Sequence, residues 1–282
     1  MDTALTLWHH GKRNILGVLL FAALFCSGFA VSGNLGLYLN LSGFIIVIGG
    51  TATAVLLAYR TDRIRILLQV LSTAYAKPLV SAEVIIRILV DLSIKRRLRG
   101  ILSLENEEEE TTVFFLRQAI GLMVDNFKPE EIREALNAEM FFFRKRRDET
   151  LRVLQTMAEV APSFGLVGSV VGLIGMLAGI GDSATLIATI PIALTSTLYG
   201  IILANLFCNP FAANIRERTA QELLLQRIIT EGVVSISGNI HPRLLDRKLK
   251  SFLTPSQRTR EVISLVRIKE ILEKEDYPSD QE

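Results

Sequence analysis

Between Asn14 and Tyr59 the chain has not one Asp, Glu, Lys or Arg, and between Val160 and Ile215 it has only Asp182. Each stretch is long enough for two membrane crossings of about 20 residues, so together they read as two helical hairpins in a bilayer. The spacing places the spans near residues 15–32, 39–58, 163–181 and 186–208. A buried soluble helix would account for any one of these runs, but not for all four in one chain. Their many glycines do not count against spanning, because membrane helices carry more Gly than soluble ones.

The flanks give an orientation. Lys12 and Arg13 precede the first span, Arg60, Arg63 and Arg65 follow the second, Arg144 to Arg147 lie upstream of the third, and Arg216 and Arg218 follow the fourth. The intervening loops "SGNLGLYLN" and "GIGDSAT" carry no Lys or Arg. Both termini are therefore expected in the cytoplasm. The basic and then apolar start has the look of a signal peptide, but its apolar run continues through "FAALFCSGFAV", longer than an h-region, and is expected to be a retained span. Cys26 and Cys208 fall within spans and read as small buried side chains rather than a metal or disulfide framework.

The expected architecture is an all-α polytopic membrane protein in four regions. Residues 1–59 form the first hairpin, 60–159 a cytoplasmic insert, 160–210 the second hairpin and 211–282 a cytoplasmic tail. Residues 61–159 hold 16 basic and 16 acidic residues in blocks: "KRRLRG" from Lys95, an acidic run Glu107 to Glu110, and "FFFRKRRDE" from Phe141. Apolar residues recur at helical spacing in "EVIIRILVDLSI" and "ETLRVLQTMAEV", and "KPEEIREAL" puts Pro129 in a first helical turn with carboxylates behind it. The tail is predicted to begin as an extension of the fourth span, break at "SGNIHPR", resume at "LLDRKLKSFL" and end in a disordered segment. Balanced, segregated charge suits a protein partner better than nucleic acid. There is no GKS or GKT, and three scattered histidines suggest no zinc site, so no catalytic role, cofactor or metal is expected.

In the third span, Gly165, Gly168, Gly172, Gly175 and Gly179 are spaced 3, 4, 3 and 4 apart, a small-residue stripe on one face. Such faces let membrane helices approach closely. The fourth span has a partial stripe of Ala193, Thr197, Gly200 and Ala204, so one helix could pack on the other; equally, the glycine face could receive a partner's helix. Ser169 and Thr197 would sit at similar depth in an antiparallel hairpin, roughly 20 Å from its outer edge at about 1.5 Å per residue. They could simply bond to the preceding turn, or border a hydrated route for a small cation, H+ or Na+. No span carries an internal carboxylate, so a charged way station would have to come from another polypeptide.

Several of these segments, in order, resemble the MotA/PomA family of flagellar stator subunits and, more distantly, the ExbB and TolQ energising proteins. They are "IVIGGT" at Ile46 to Thr51, "RRLRGILSLE", "APSFGLVGSVVGLIGML", "ALTSTLYGIILANLFCNPFA" and "ITEGVVSISGNIHPRLLDRKLKSFLTP". The fourth crossing, the "LYG" at Leu198 to Gly200 and the long tail favour the MotA branch over the three-crossing energisers. The resemblance implies a homopentameric ring in the bacterial inner membrane around two MotB-type subunits with peptidoglycan-binding domains, in which passage of protons or sodium ions drives rotation. It further implies that Arg97 and Glu105 engage the flagellar rotor switch protein, from one broad helix face if that helix continues past Gly100. Pro162 and Pro210 match the family's prolines at the inner ends of the third and fourth spans, where they would bend a helix or mark its start.

The chain also departs from that pattern. It reads "NLSG", with Asn40 and Ser42, where the family usually has an acidic residue and a proline. It has Ser169 where sodium-driven members typically carry Thr and several proton-driven ones Ala. An ExbB/TolQ-like energising subunit or a non-flagellar stator paralogue is the alternative expectation.

Overall fold

The computed structural model describes residues 38–76, 80–104 and 114–253, with isolated positions between 20 and 33. The predicted first span, Glu105, the acidic run and the terminal segment beyond 253 thus fall wholly or largely outside the described residues. Helices account for nearly all that is described, and no strand occurs among the described residues. They are α1 (Leu41–Ala58), α2 (Thr61–Ala76), α3 (Ala82–Arg99), a 3-10 turn at Ile101–Leu104, α4 (Phe114–Val124), α5 (Pro129–Ala178), α6 (Ser183–Ile202), a π-helical segment Leu203–Cys208, α7 (Asn209–Ser237) and α8 (Pro242–Lys250). Among the described residues, three helical runs are long and apolar enough to cross a membrane: Leu41–Ala58, Pro129–Ala178 and Thr185–Ser237.

Local chemistry sets the ends. Asn40 caps α1, its side-chain oxygen accepting from the Gly43 amide at 2.9 Å, and Ser81 does the same for α3. Gly100 stops α3 at a φ of 87°, a left-handed conformation that glycine adopts without steric cost. Asn126 and Asn239 take similar positive φ after α4 and α7. Pro129 opens α5, with Glu130 and Glu131 in its first turn, as the sequence predicts. The tail breaks between Ser237 and Pro242, where His241 Nδ1 accepts from the Arg243 amide at 3.2 Å.

The two prolines expected to bend a helix or mark its start differ. Pro162 marks no start: α5 runs without interruption through it. Pro210 lies in the first turn of α7, directly after the π segment. In the π segment the Asn209 amide bonds to the Ala204 carbonyl, five residues back. A proline at 210 has no amide to offer the preceding turn and crowds its carbonyl. A locally widened turn accommodates both effects.

The chain divides into two compact units, Met1–Ile64 with Arg152–Ala212, and Arg65–Leu151 with Ala213–Glu282. The first contains α1, the apolar part of α5, α6 and the π segment. The second has a core of large aliphatic side chains, among them Leu89, Leu116, Ile120, Leu136, Ile229 and Leu249, each at most 1% exposed.

Candidate functional site

The glycine stripe of α5 faces α6 of the same chain. A Cβ at Gly172 would stand 2.5 Å from the Ala193 amide nitrogen and 2.8 Å from its Cα, and one at Gly165 would stand 3.0 Å from the Ser196 carbonyl. Gly168, Gly175 and Gly179 meet Ser196, Thr189 and Thr185 in turn. From the other helix, Gly200 lies against the Ala161 carbonyl and the Pro162 Cα. Of the two readings of Gly165, Gly168, Gly172, Gly175 and Gly179, packing on the fourth span and packing on a partner's helix, the contacts within the chain follow the first. That face is already filled, because two backbones this close leave no room for a third helix between them.

At the centre of this contact Ser169 and Thr197 come together. Their hydroxyl oxygens are 2.5 Å apart. Ser169 Oγ is also 2.5 Å from the Ala193 carbonyl and 3.2 Å from that of Gly165, and Thr197 Oγ1 lies 3.5 Å from the latter. Two protons thus serve a cluster of four oxygens. If Ser169 donates to Ala193 and Thr197 to Ser169, both hydroxyl protons are used and lone pairs remain. Such a cluster can solvate a cation or orient a water; it cannot take up and release a proton near neutral pH.

The third helix of the unit docks through residues that the sequence reading passed over. Ser196 is fully buried and donates to the Ile192 carbonyl at 2.6 Å; its side chain fills the hollow between Gly168 of α5 and Gly43 of α1. Phe164 lays its ring over Gly50. The Tyr199 hydroxyl donates to the Tyr38 carbonyl and accepts from the Asn40 amide at 2.8 Å. At the far end of α1 the Tyr59 hydroxyl shares a 2.8 Å hydrogen bond with Thr156 Oγ1. Asn40 therefore does by neutral capping what an acidic residue would do there. The signal for Ser196 was its i+3 step from Ala193, on the stripe already noted.

Residues 106–227 match the model of the MotA/TolQ/ExbB proton channel family. The motility protein A of Borreliella burgdorferi is 33% identical over 86% of this chain and 94% of its own length. The chemotaxis protein PomA of Vibrio alginolyticus is 29% identical over 88% and 97%. The chain belongs to the motility protein A family. A solved structure of C. jejuni MotAB superposes with a TM-score of 0.80 at 26% identity, covering 88% of this chain and 98% of that one. The chain is accordingly a membrane protein built on the MotA fold.

The second unit of this MotA-family chain holds the residues expected at the rotor. Arg97 is exposed in the last turn of α3 and makes no hydrogen bond or ion pair to a described residue. The helix does break at Gly100, so the helix that carries Arg97 does not continue toward position 105, and Glu105 itself lies outside the described residues. Of the neighbouring cations, Arg96 donates to the Ser237 carbonyl at 3.2 Å, and burial lowers its pKa. A charged network ties α5, α7 and α8. Glu231 accepts from Arg133 and, at 2.9 Å, from Lys248, and Arg147 pairs with Glu222 at 3.2 Å. Burial disfavours the Glu231 carboxylate, but the hydrogen bonds and charges of Arg133 and Lys248 outweigh it and hold its pKa below the ordinary value. Glu139 is pushed the other way by burial, against the pull of Arg146.

Proposed function

We propose that the chain is the stator subunit that, with a MotB-type single-span partner, couples inward flow of H+ or Na+ to rotation of the flagellar rotor. The observation that carries this is the Ser169–Thr197 oxygen cluster inside a hairpin whose only acidic residue, Asp182, caps the outer turn through Thr185 at 2.6 Å. An ion can be solvated in such a hairpin but not held by charge, so a carboxylate must be brought by another polypeptide. The solved MotAB structures similar to this chain contain a second component by name.

In this reading the chain crosses the bacterial inner membrane four times, with both termini in the cytoplasm, and five copies surround two partner helices. Regions 1–59 and 160–210 are the membrane hairpins, 60–159 is the rotor-facing insert and 211–282 the cytoplasmic tail. Arg97 and Glu105 engage the rotor switch protein. Pro162 and Pro210 set the helix geometry that rotation requires, Pro162 by its contact with Gly200 and Pro210 through the π segment. No cofactor or metal takes part beyond the transported ion, and membrane lipids bound the exposed apolar faces.

The test is swimming speed in a stator-deleted host expressing the chain with its partner, measured against sodium at fixed pH and membrane potential. Ser169→Ala and Thr197→Val should lower speed severalfold when the ion is limiting, with unchanged membrane levels. Speed that saturates with sodium identifies sodium drive; indifference to sodium with collapse on a protonophore identifies protons. Both variants matching the parent at limiting ion would remove the hydroxyls from the ion path, and failure of the parent to restore motility would overturn the stator assignment.

A further inference from the structure

In the second unit, two groups stand out among the basic side chains around the end of α3 and the start of α8. Arg96, Lys248 and Lys250 are committed, to the Ser237 carbonyl, to Glu231 and to Asp246 respectively. Arg97, Arg243 and Arg247 are exposed, and none of their guanidinium groups has a hydrogen-bond or ion-pair partner among the described residues. Two large apolar side chains stand beside them, Leu98 at 48% exposure and Leu244 at 57%.

The backbone brings the two sets to one place. α8 packs on α3 through Leu245 and Leu249, both fully buried in the same core as Leu89 and Leu92. The Arg96 hydrogen bond to Ser237 fixes the last turn of α3 beside the turn that leads into α8. On α8, positions 243, 244 and 247 lie on adjoining faces, away from the buried 245 and 249. The acidic group of that helix, Asp246, is taken up by Lys250 at 2.9 Å, so it does not neutralise this side.

Uncommitted guanidinium groups around exposed leucines are the composition of a protein-binding surface, because Arg and apolar anchors dominate interface energetics. We infer that the start of α8, through Arg243, Leu244 and Arg247, is a second half of the rotor-contacting surface begun by Arg97 and Leu98. The charge fixes the partner's chemistry: an acidic protein face with an apolar centre. Three like charges with no acidic partner among the described residues favour such a face and disfavour a basic one. The inference rests on the stator reading and extends its contact from the cytoplasmic insert into the tail.

The test uses the full chain with its partner in a stator-deleted host. It compares the parent, R97E, R243E/R247E and R243K/R247K, reading bead torque, the number of fluorescently tagged units at the motor, and co-purification with the partner. The expected result is a severalfold loss of torque and motor occupancy for R243E/R247E, comparable to R97E. Co-purification should be unchanged, and the lysine variant should retain most activity because the sign of the charge is kept. Parental torque in R243E/R247E, with R97E impaired, overturns the tail surface and leaves the stator reading standing. Loss of co-purification overturns it too, by showing a structural role. Restoration of R243E/R247E by neutralising Glu107 to Glu110 would show that the chain's own acidic run is the occupant, again overturning it. A parent that restores no motility overturns the stator reading itself.

Discussion

The two units solve the same problem, holding helices together, with opposite side chains. In the unit of α1, α6 and the apolar part of α5, contact is made by what is missing: Gly168, Gly172 and Gly200 bring backbone to backbone, and Ser196 plugs the gap. Large apolar residues such as Leu166, Ile174 and Leu177 stay more than half exposed on the outside. In the other unit the arrangement inverts, with Leu, Ile and Met inside and charges such as Arg144 and Asp148 outside. The difference is one of solvent. In water, burial of aliphatic surface drives packing; between helices in lipid that drive is absent, and close van der Waals contact replaces it.

That comparison can be broken or sharpened by substitution. The largest expected effect is Leu136→Ala, which empties a fully buried site and should destabilise the second unit by about 2–5 kcal/mol. Thermal unfolding of the detergent-purified chain, read by hydrogen exchange on peptides of α4 and α7, measures it. Next is the pair Gly172→Ala and Gly232→Ala, one in each unit. At Gly172 the new methyl meets the backbone of Ala193 at 2.5 Å, which cannot move without separating the helices, so a loss of about 3 kcal/mol is expected. At Gly232 it meets the Cδ1 end of Leu89 at 2.6 Å, which can rotate aside, and the gain in helix propensity offsets the crowding to within about 1 kcal/mol. Equal effects at the two positions would deny that backbone contact distinguishes the units.

The smallest effect is Glu231→Gln. The folded pKa of Glu231 lies below its unfolded value, so its contribution is present above the unfolded value, near about 4.3, and is lost as pH falls through the folded one. The variant should be less stable by about 1 kcal/mol at neutral pH, and the gap should close on acidification. A gap that is the same at pH 7 and pH 3 would show that the network contributes shape rather than charge.

Much of this was legible in the sequence, for physical reasons that differ by feature. Charge cannot enter a bilayer cheaply, so its absence leads to the apolar helix Leu41–Ala58 and to the apolar parts of α5 and α6; the first expected span lies largely outside the described residues. Gly and Pro at Gly100, Pro129 and Pro242 mark ends because they act through local backbone geometry. What a small face packs against is a tertiary fact, and the stripe at Gly165 to Gly179 gives no sign of whether α6 or another chain fills it. Ser196 reads as polar and is fully buried, because a serine on a helix can satisfy its own hydroxyl on the preceding turn. Pro162 reads as a bend or a start, and sequence does not choose between them; α5 continues through it, with Gly200 of α6 packed closely against its Cα.

The π segment Leu203–Cys208 has a consequence for phase. Gly200, Ala204, Cys208 and Ala212 are all buried, at successive steps of four. In an unbroken α-helix each such step advances the face by about 40°, so three of them would carry the buried line about a third of the way round the rod. A turn that holds an additional residue takes up that rotation and keeps the line straight. Removing a single residue between 203 and 208 would let the segment wind as an ordinary α-helix and leave the downstream faces nearly where they are, because the widened turn already holds the extra residue, whereas adding one would turn them by about 100°. The segment therefore works as an angular setting, and loss of one residue across it is expected to be tolerated better than gain of one.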